Sequence, residues 1–193
     1  MAQPARAVAG DYVQFSIGSA VGGETKLDIS GIGSDDASLD AGLFAAVAGG
    51  RSFGSGFALE AEGVYLENDI KTGSLDTLVG SPLDASARTY GLMVNAHYAA
   101  LPLGPFTAEI GGGVGYGQTK YKLLGVSDDA DGLMWQAIAG LSYPVSEKFS
   151  WDLKYRYLRG PKMRADAFVG TTIYDYEIKT SAHVVAIGGR VKF

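Results

Sequence analysis

Cysteine is absent, which excludes disulfides, thiolate nucleophiles and cysteine-based metal sites. Histidine is nearly absent: His97 and His183 are the two in the chain, so material for general-base chemistry is thin. Basic residues are outnumbered, with 16 Lys and Arg against 21 Asp and Glu, giving a net charge of −5. A general nucleic-acid binder needs clustered cations to neutralise phosphates, and no such cluster exists. There is no basic amino-terminal region followed by an apolar core; Ala2-Gln3-Pro4 instead reads as the start of a mature chain whose leader Met1 has replaced. The longest uncharged stretch, Thr89 to Ala108, contains Asn95, His97, Pro102 and Pro105, so it cannot serve as a membrane-spanning helix. If this chain crosses a membrane, it crosses as a closed barrel.

What is abundant is apolar and aromatic. Hydrophobic residues make up 47% of 193 positions, with 11 Tyr, 8 Phe and 2 Trp, and 28 Gly imply many turns or close strand approaches. The length suits one domain over 1–193. Period-two alternation then recurs about eight times, as expected of half-buried strands. In the first run, Asp11 to Ala20, Val13, Phe15 and Ile17 oppose Gln14, Ser16 and Gly18. The second, Ser38 to Ala48, sets Leu39, Ala41, Leu43, Ala45 and Val47 against Asp40, Gly42 and Phe44. In the third, Phe57, Leu59, Ala61 and Tyr65 oppose Glu60 and Glu62. The fourth opposes Tyr90, Leu92, Val94, Ala96 and Tyr98 to Met93, Asn95 and His97. The fifth opposes Phe106, Ala108, Ile110, Val114 and Tyr116 to Thr107, Glu109 and the glycine column 111, 113, 115, 117. The sixth opposes Leu133, Trp135, Ala137, Ala139, Leu141 and Tyr143 to Gln136 and Ser142. In the seventh, Phe149, Trp151, Leu153, Tyr155 and Tyr157 oppose Asp152, Lys154 and Arg156; in the last, Val185, Ile187, Val191 and Phe193 oppose Arg190 and Lys192.

The connections alternate. Those near 49–55, 100–104 and 144–148 are short, and those near 21–37, 67–86, 119–131 and 159–175 are long. The expectation is an all-β, eight-stranded antiparallel up-and-down transmembrane barrel, with short periplasmic turns, four long extracellular loops and both termini periplasmic. A soluble lipocalin-like barrel is the competing architecture. It would need every Trp, Tyr and Phe packed inward, more than an eight-stranded lumen holds, and its outer face would have too few charges. The rings instead fall at the ends of runs, the spacing of two interfacial girdles: Phe57 and Tyr65, Tyr90 and Tyr98, Phe106 and Tyr116, Trp135 and Tyr143, with Phe149 and Trp151.

The carboxyl-terminal Phe193, with Val191, Ile187 and Val185 before it, resembles the insertion signal of bacterial outer-membrane proteins. The alternation and loop asymmetry resemble the small OmpA-like, OmpX-like and opacity-protein barrels. That resemblance implies an outer-membrane location and assembly by the insertion machinery that reads the last strand.

Seven charged residues fall on the inward face: Glu60, Glu62, Glu109, Asp152, Lys154, Arg156 and Arg190. Charges in a poorly hydrated interior persist when paired, so acids of the third and fifth strands facing bases of the last two form a salt-bridge plug. The same residues exchanging partners would gate a narrow pore. Asn95, Gln14, Gln136 and His97, the last inward near the periplasmic rim, are neutral partners. His183 falls on the lipid face beside Ser181, and a lipid-modifying enzyme is the third reading. Asp128-Asp129-Ala130-Asp131-Gly132 has calcium-loop spacing without the later bidentate Glu, and an ordinary solvated turn explains it; no metal or other cofactor is expected. The glycine column is followed by no helix pattern and makes room for inward side chains. Loops one to three are acidic (Glu24, Asp28, Asp35, Asp36, Asp69, Asp76, Asp84), while Arg159, Lys162 and Arg164 give the fourth a basic side suited to lipopolysaccharide phosphates. The reading is a monomeric, non-enzymatic barrel with a structural or surface-interaction role through its loops. Its partners are outer-membrane lipids, lipopolysaccharide and an extracellular ligand, and a narrow channel is the runner-up.

Overall fold

The computed structural model describes residues 9–29, 33–38, 41–69, 85–123, 126–169 and 172–193. Among them there is no helix. The strands are β1 (Gly10–Ile29), β2 (Gly33–Ser38), β3 (Gly42–Ser52), β4 (Phe57–Asp69), β5 (Ala85–Leu103), β6 (Phe106–Leu123), β7 (Val126–Pro144), β8 (Phe149–Val169) and β9 (Thr172–Lys192). Every pairing is antiparallel. β2 and β3 both pair with β1, the first along 24–29 and the second along 10–20, so they are two segments of one wall position. β1 pairs on its other edge with β9, from Tyr12↔Lys192 to Ile29↔Tyr176. That last pairing closes the sheet on itself: the result is a closed, eight-stranded antiparallel barrel.

Both chain ends lie at one rim, called here the terminal rim, together with the turns at 53–56, 104–105 and 145–148. Backbone bonds from Phe53 N to Phe57 O (2.8 Å) and Val145 N to Phe149 O (2.9 Å) close two of them. Gly54 and Gly104 adopt φ of 70° and 63°, a left-handed conformation that a β-carbon disfavours.

At the distal rim the strands run on further than the hydrophobic alternation. β1 and β2 pair out to Ile29↔Gly33, β6 and β7 to Leu123↔Val126, and β8 and β9 to Val169↔Thr172. The segments expected as long loops at 21–37, 119–131 and 159–175 are therefore largely strand, and Asp128 to Gly132 lies within β7 rather than in a turn. The reason is physical: an antiparallel ladder continues through its backbone bonds wherever both strands stay extended, but away from lipid neither face need be apolar. The period-two signal fades before the strand does. In the remaining long connection, 67–86, residues 70–84, including Asp76 and Asp84, lie outside the described residues, as do 1–8. Bulges interrupt β1 at Val21 and β8 at Gly160-Pro161, and the latter admits a proline that has no N–H for the ladder.

Candidate functional site

Alternation puts the apolar residues outside. Leu92, Val94, Ile110, Val114, Leu133, Leu153 and Ile187 all project from the outer surface, Leu133 at 80% exposure. A belt of this extent has no water-compatible explanation in a monomer. No described helix is long and apolar enough to cross a membrane, and the crossing is made by strands. The ten aromatic residues named for the girdles also project outward. Phe57 contacts Tyr98, Phe106 contacts Tyr143 and Phe149 contacts Trp151 toward the terminal rim, with ring centroids 4.9, 5.4 and 5.1 Å apart. Toward the distal rim Tyr65 and Tyr90 are cross-strand partners, and Tyr116 and Trp135 stand nearby on β6 and β7. Val185, Ile187 and Phe193 lie outside, and Val191 pairs with Val13 on β1. The Phe193 N–H donates to the Asp11 carbonyl (3.0 Å), tying the chain end to the first strand.

The lumen is filled in layers. Read from the terminal rim, β4 turns inward Glu60, Glu62, Val64, Leu66 and Asn68; β8 turns inward Asp152, Lys154, Arg156 and Leu158; β9 turns inward Arg190, Ala186, Val184, Ala182 and Thr180. An ionic layer is thus followed by an apolar one and then by a threonine-lined mouth.

All seven charged residues expected inside are there. Arg156 Nη1 contacts Glu62 Oε1 at 2.7 Å, with both side chains 1% exposed. Glu62 Oε2 also accepts from Asn95 Nδ2 (2.8 Å) and Gln136 Nε2 (2.7 Å). Glu60 is the cross-strand partner of Asn95, so one amide serves both carboxylates, reaching Glu60 Oε1 at 2.9 Å. Glu60 further meets His97 Nε2 (3.0 Å) and accepts from the Tyr12 hydroxyl (3.1 Å). Arg190 forms a two-pronged pair with Glu109 (2.9 and 2.8 Å) and lies 3.2 Å from Asp152 Oδ2. That last contact is coulombic: Arg190 Nε makes no aligned hydrogen bond. Gln14 bridges the remainder, accepting from Lys154 Nζ (2.9 Å) and donating to Asp152 (3.0 Å). The acids Glu62 of β4 and Glu109 of β6 therefore pair directly with Arg156 of β8 and Arg190 of β9, and the amides of Gln14, Asn95 and Gln136 tie the pairs together.

The alternation gave no warning of the layer above. Phe44, Val64, Leu66, Met93, Met134, Leu158 and Val184 form a buried apolar cluster across the lumen. The Arg156 guanidinium lies over the Phe44 ring at 5.0 Å and joins the two layers. The available signal was Phe44 and Met93 standing in phase with polar residues. Tyr12, which caps the ionic layer beneath Arg190 at 5.1 Å, was likewise missed. The glycine column has the expected use. A β-carbon at Gly113 would fall on Asn95 Oδ1 and one at Gly117 on the Met134 sulfur, and one at Gly111 would come 2.7 Å from His97 Nδ1. These glycines admit side chains from the flanking strands.

His183 faces outward, its Nδ1 in a 2.5 Å hydrogen bond with the Tyr155 hydroxyl and its ring against Tyr157. Among the described residues no group of His, Asp or Glu is arranged to hold a metal ion.

A closed barrel with an apolar exterior and a paired polar interior is an integral protein of the bacterial outer membrane. Residues 1–188 match the outer membrane protein beta-barrel domain, and the chain belongs to that family. No curated protein matches it. Among solved structures it is similar to Neisserial surface protein A (18% identity, 95% of this chain and 97% of that one, TM-score 0.56). It is also similar to OprG from Pseudomonas aeruginosa (16% identity, 96% of both chains, TM-score 0.56). A third is AlkL, determined in lipid bilayers (18% identity, 100% of this chain and 94% of that one, TM-score 0.56). At these identities the likeness is one of fold.

Proposed function

We infer that this protein is a monomeric, non-conducting and non-enzymatic outer-membrane barrel whose role is structural or surface-interactive. The polar strand extensions and connections at the distal rim carry that role toward an extracellular ligand. Both termini then face the periplasm, and the insertion machinery reads β9 during assembly. The observation that carries this reading is the filled lumen: Arg156, 1% exposed, is held between Glu62 and the Phe44 ring, with the apolar cluster above it. Eight strands enclose little more than their own side chains, and such packing supports a lumen closed to ions. His183, bonded to a phenol, has the surroundings of an interfacial residue rather than of a catalytic base.

Planar-bilayer recording tests it. The wild-type barrel is expected to give no steady single-channel openings, and openings lost in Arg156→Ala would overturn the reading. A narrow channel draws support from one observation, the unpartnered buried atoms His97 Nδ1, Ser150 Oγ and Asp152 Oδ1 in the ionic layer. Such atoms call for water, the first requirement of conduction. Orientation is tested separately: as the chain has no cysteine, maleimide labelling of Lys122→Cys but not Ser55→Cys on intact cells is expected.

A further inference from the structure

On the outer surface of β3, β4 and β5 the apolar belt is dented. A recess of about 510 Å³ opens to the lipid side, floored by Ala45 and Gly63 and walled by Val47, Leu92, Tyr65 and Tyr90. Crowding does not require Gly63. A β-carbon there would lie 3.9 Å from both Leu92 Cδ2 and Val47 Cγ1, ordinary contact distances. A larger apolar side chain would also gain from facing lipid. The missing bulk is therefore space for something else.

The polar boundary stands immediately above. The Tyr65 hydroxyl donates to Glu67 (2.6 Å) and that of Tyr90 to Gln118. One pleat further, four outward charges pair across successive strands in the register Glu67↔Arg88, Arg88↔Lys120 and Lys120↔Asp129. The row reads minus, plus, plus, minus. Arg88 Nε is drawn to Glu67 on its outer side (2.7 Å), and Lys120 Nζ stands 5.8 Å from the centre of the Tyr90 ring, itself a wall of the recess. Like charges directly opposite on neighbouring strands repel, and an anion seated over both removes the penalty.

We propose that this wall binds a phosphorylated lipid of the outer leaflet, with an acyl chain in the Gly63 recess and its phosphate between Arg88 and Lys120. Charge and depth select this occupant: the recess lies in the lipid-facing belt, and the two cations lie where a headgroup meets water. Tyr90 connects the two parts. The site rests on the orientation inferred above, which puts the distal rim in the outer leaflet.

Native mass spectrometry of the full chain in detergent, with lipid A as probe, tests the site. The wild type is expected to retain one lipid A, and its dephosphorylated counterpart much less. Arg88→Gln with Lys120→Gln removes two charge-assisted contacts, and occupancy is expected to fall roughly tenfold. Gly63→Leu fills the recess and is expected to lower it roughly fivefold, while Lys148→Gln, in the exposed turn at the terminal rim, leaves it unchanged. Raised salt weakens binding in the wild type and not in the double variant. A heat-dependent gel shift verifies that each variant is folded. Occupancy in both variants within about twofold of wild type would overturn the site. So would equal retention of the dephosphorylated lipid, or a dimer, rather than a lipid, lost in Gly63→Leu. Binding in detergent is independent of orientation, so failure here sinks this site alone; labelling of Ser55→Cys instead of Lys122→Cys on intact cells sinks the orientation.

Discussion

Replacing Arg156 by methionine keeps most of the side-chain length and apolar contact while deleting the charge, so it isolates the ionic part of the lumen. The wild-type pair is 2.7 Å apart with both side chains 1% exposed, and solvent screening is negligible. Removing one partner of a buried pair costs about 3–5 kcal/mol, because the other charge remains buried without compensation. Here Glu62 keeps the amides of Asn95 and Gln136, at 2.8 and 2.7 Å, so the lower limit applies. Gln136 Oε1 also loses the Arg156 donor it holds at 3.2 Å. The expected loss is about 3 kcal/mol, a shift of roughly 150-fold in the folded-to-unfolded ratio. Glu62→Gln combined with Arg156→Met removes both charges, and about half or more of the loss should return. Urea unfolding in phospholipid vesicles, followed by the fluorescence of Trp135 and Trp151 and by gel mobility, reads these differences. A loss below about 1 kcal/mol, the range of an exposed pair, would refute the reasoning, as would a double variant no more stable than Arg156→Met.

Val94→Arg places a charge on a residue 61% exposed on the outer surface, midway between the girdle residues Tyr90 and Tyr98. In water this would be almost neutral, but in lipid it should cost about 2–4 kcal/mol in vesicle refolding, and a neutral result contradicts the lipid-facing assignment. Gly113→Ala puts a β-carbon on Asn95 Oδ1, whereas Gly49→Ala meets nothing within 4 Å. The first should destabilise by about 1–3 kcal/mol and the second by less than about 0.5 kcal/mol, as measured in the same urea titration. Phe193→Ala changes a side chain that is 75% exposed, so refolding into detergent should be unchanged while the folded yield in cells falls. Equal yields in cells would remove the insertion-signal role.

The sequence by itself determined the barrel and the side each residue takes. Alternation fixes a face because successive side chains point oppositely along a strand, and lipid demands that one face be apolar. Glu60, Glu62, Asp152, Lys154 and Arg156 could therefore be placed inside from spacing alone. The glycine column on β6 also announced close packing before its guests, His97, Asn95 and Met134, were known. Alternation gives neither height nor neighbour. That Asn95 spans both Glu60 and Glu62, that Arg156 takes Glu62 while Arg190 takes Glu109, and that Phe44 meets Met134 in one apolar layer depend on the registers of all the strand pairs, fixed together when β1 meets β9. The strand extensions past the distal rim were hidden for a related reason: beyond the membrane the backbone ladder alone maintains them, and it leaves no hydrophobic period to read. Closure of the sheet turned a list of inward residues into a stack of layers, because the stagger needed to close a barrel decides which side chains share a level.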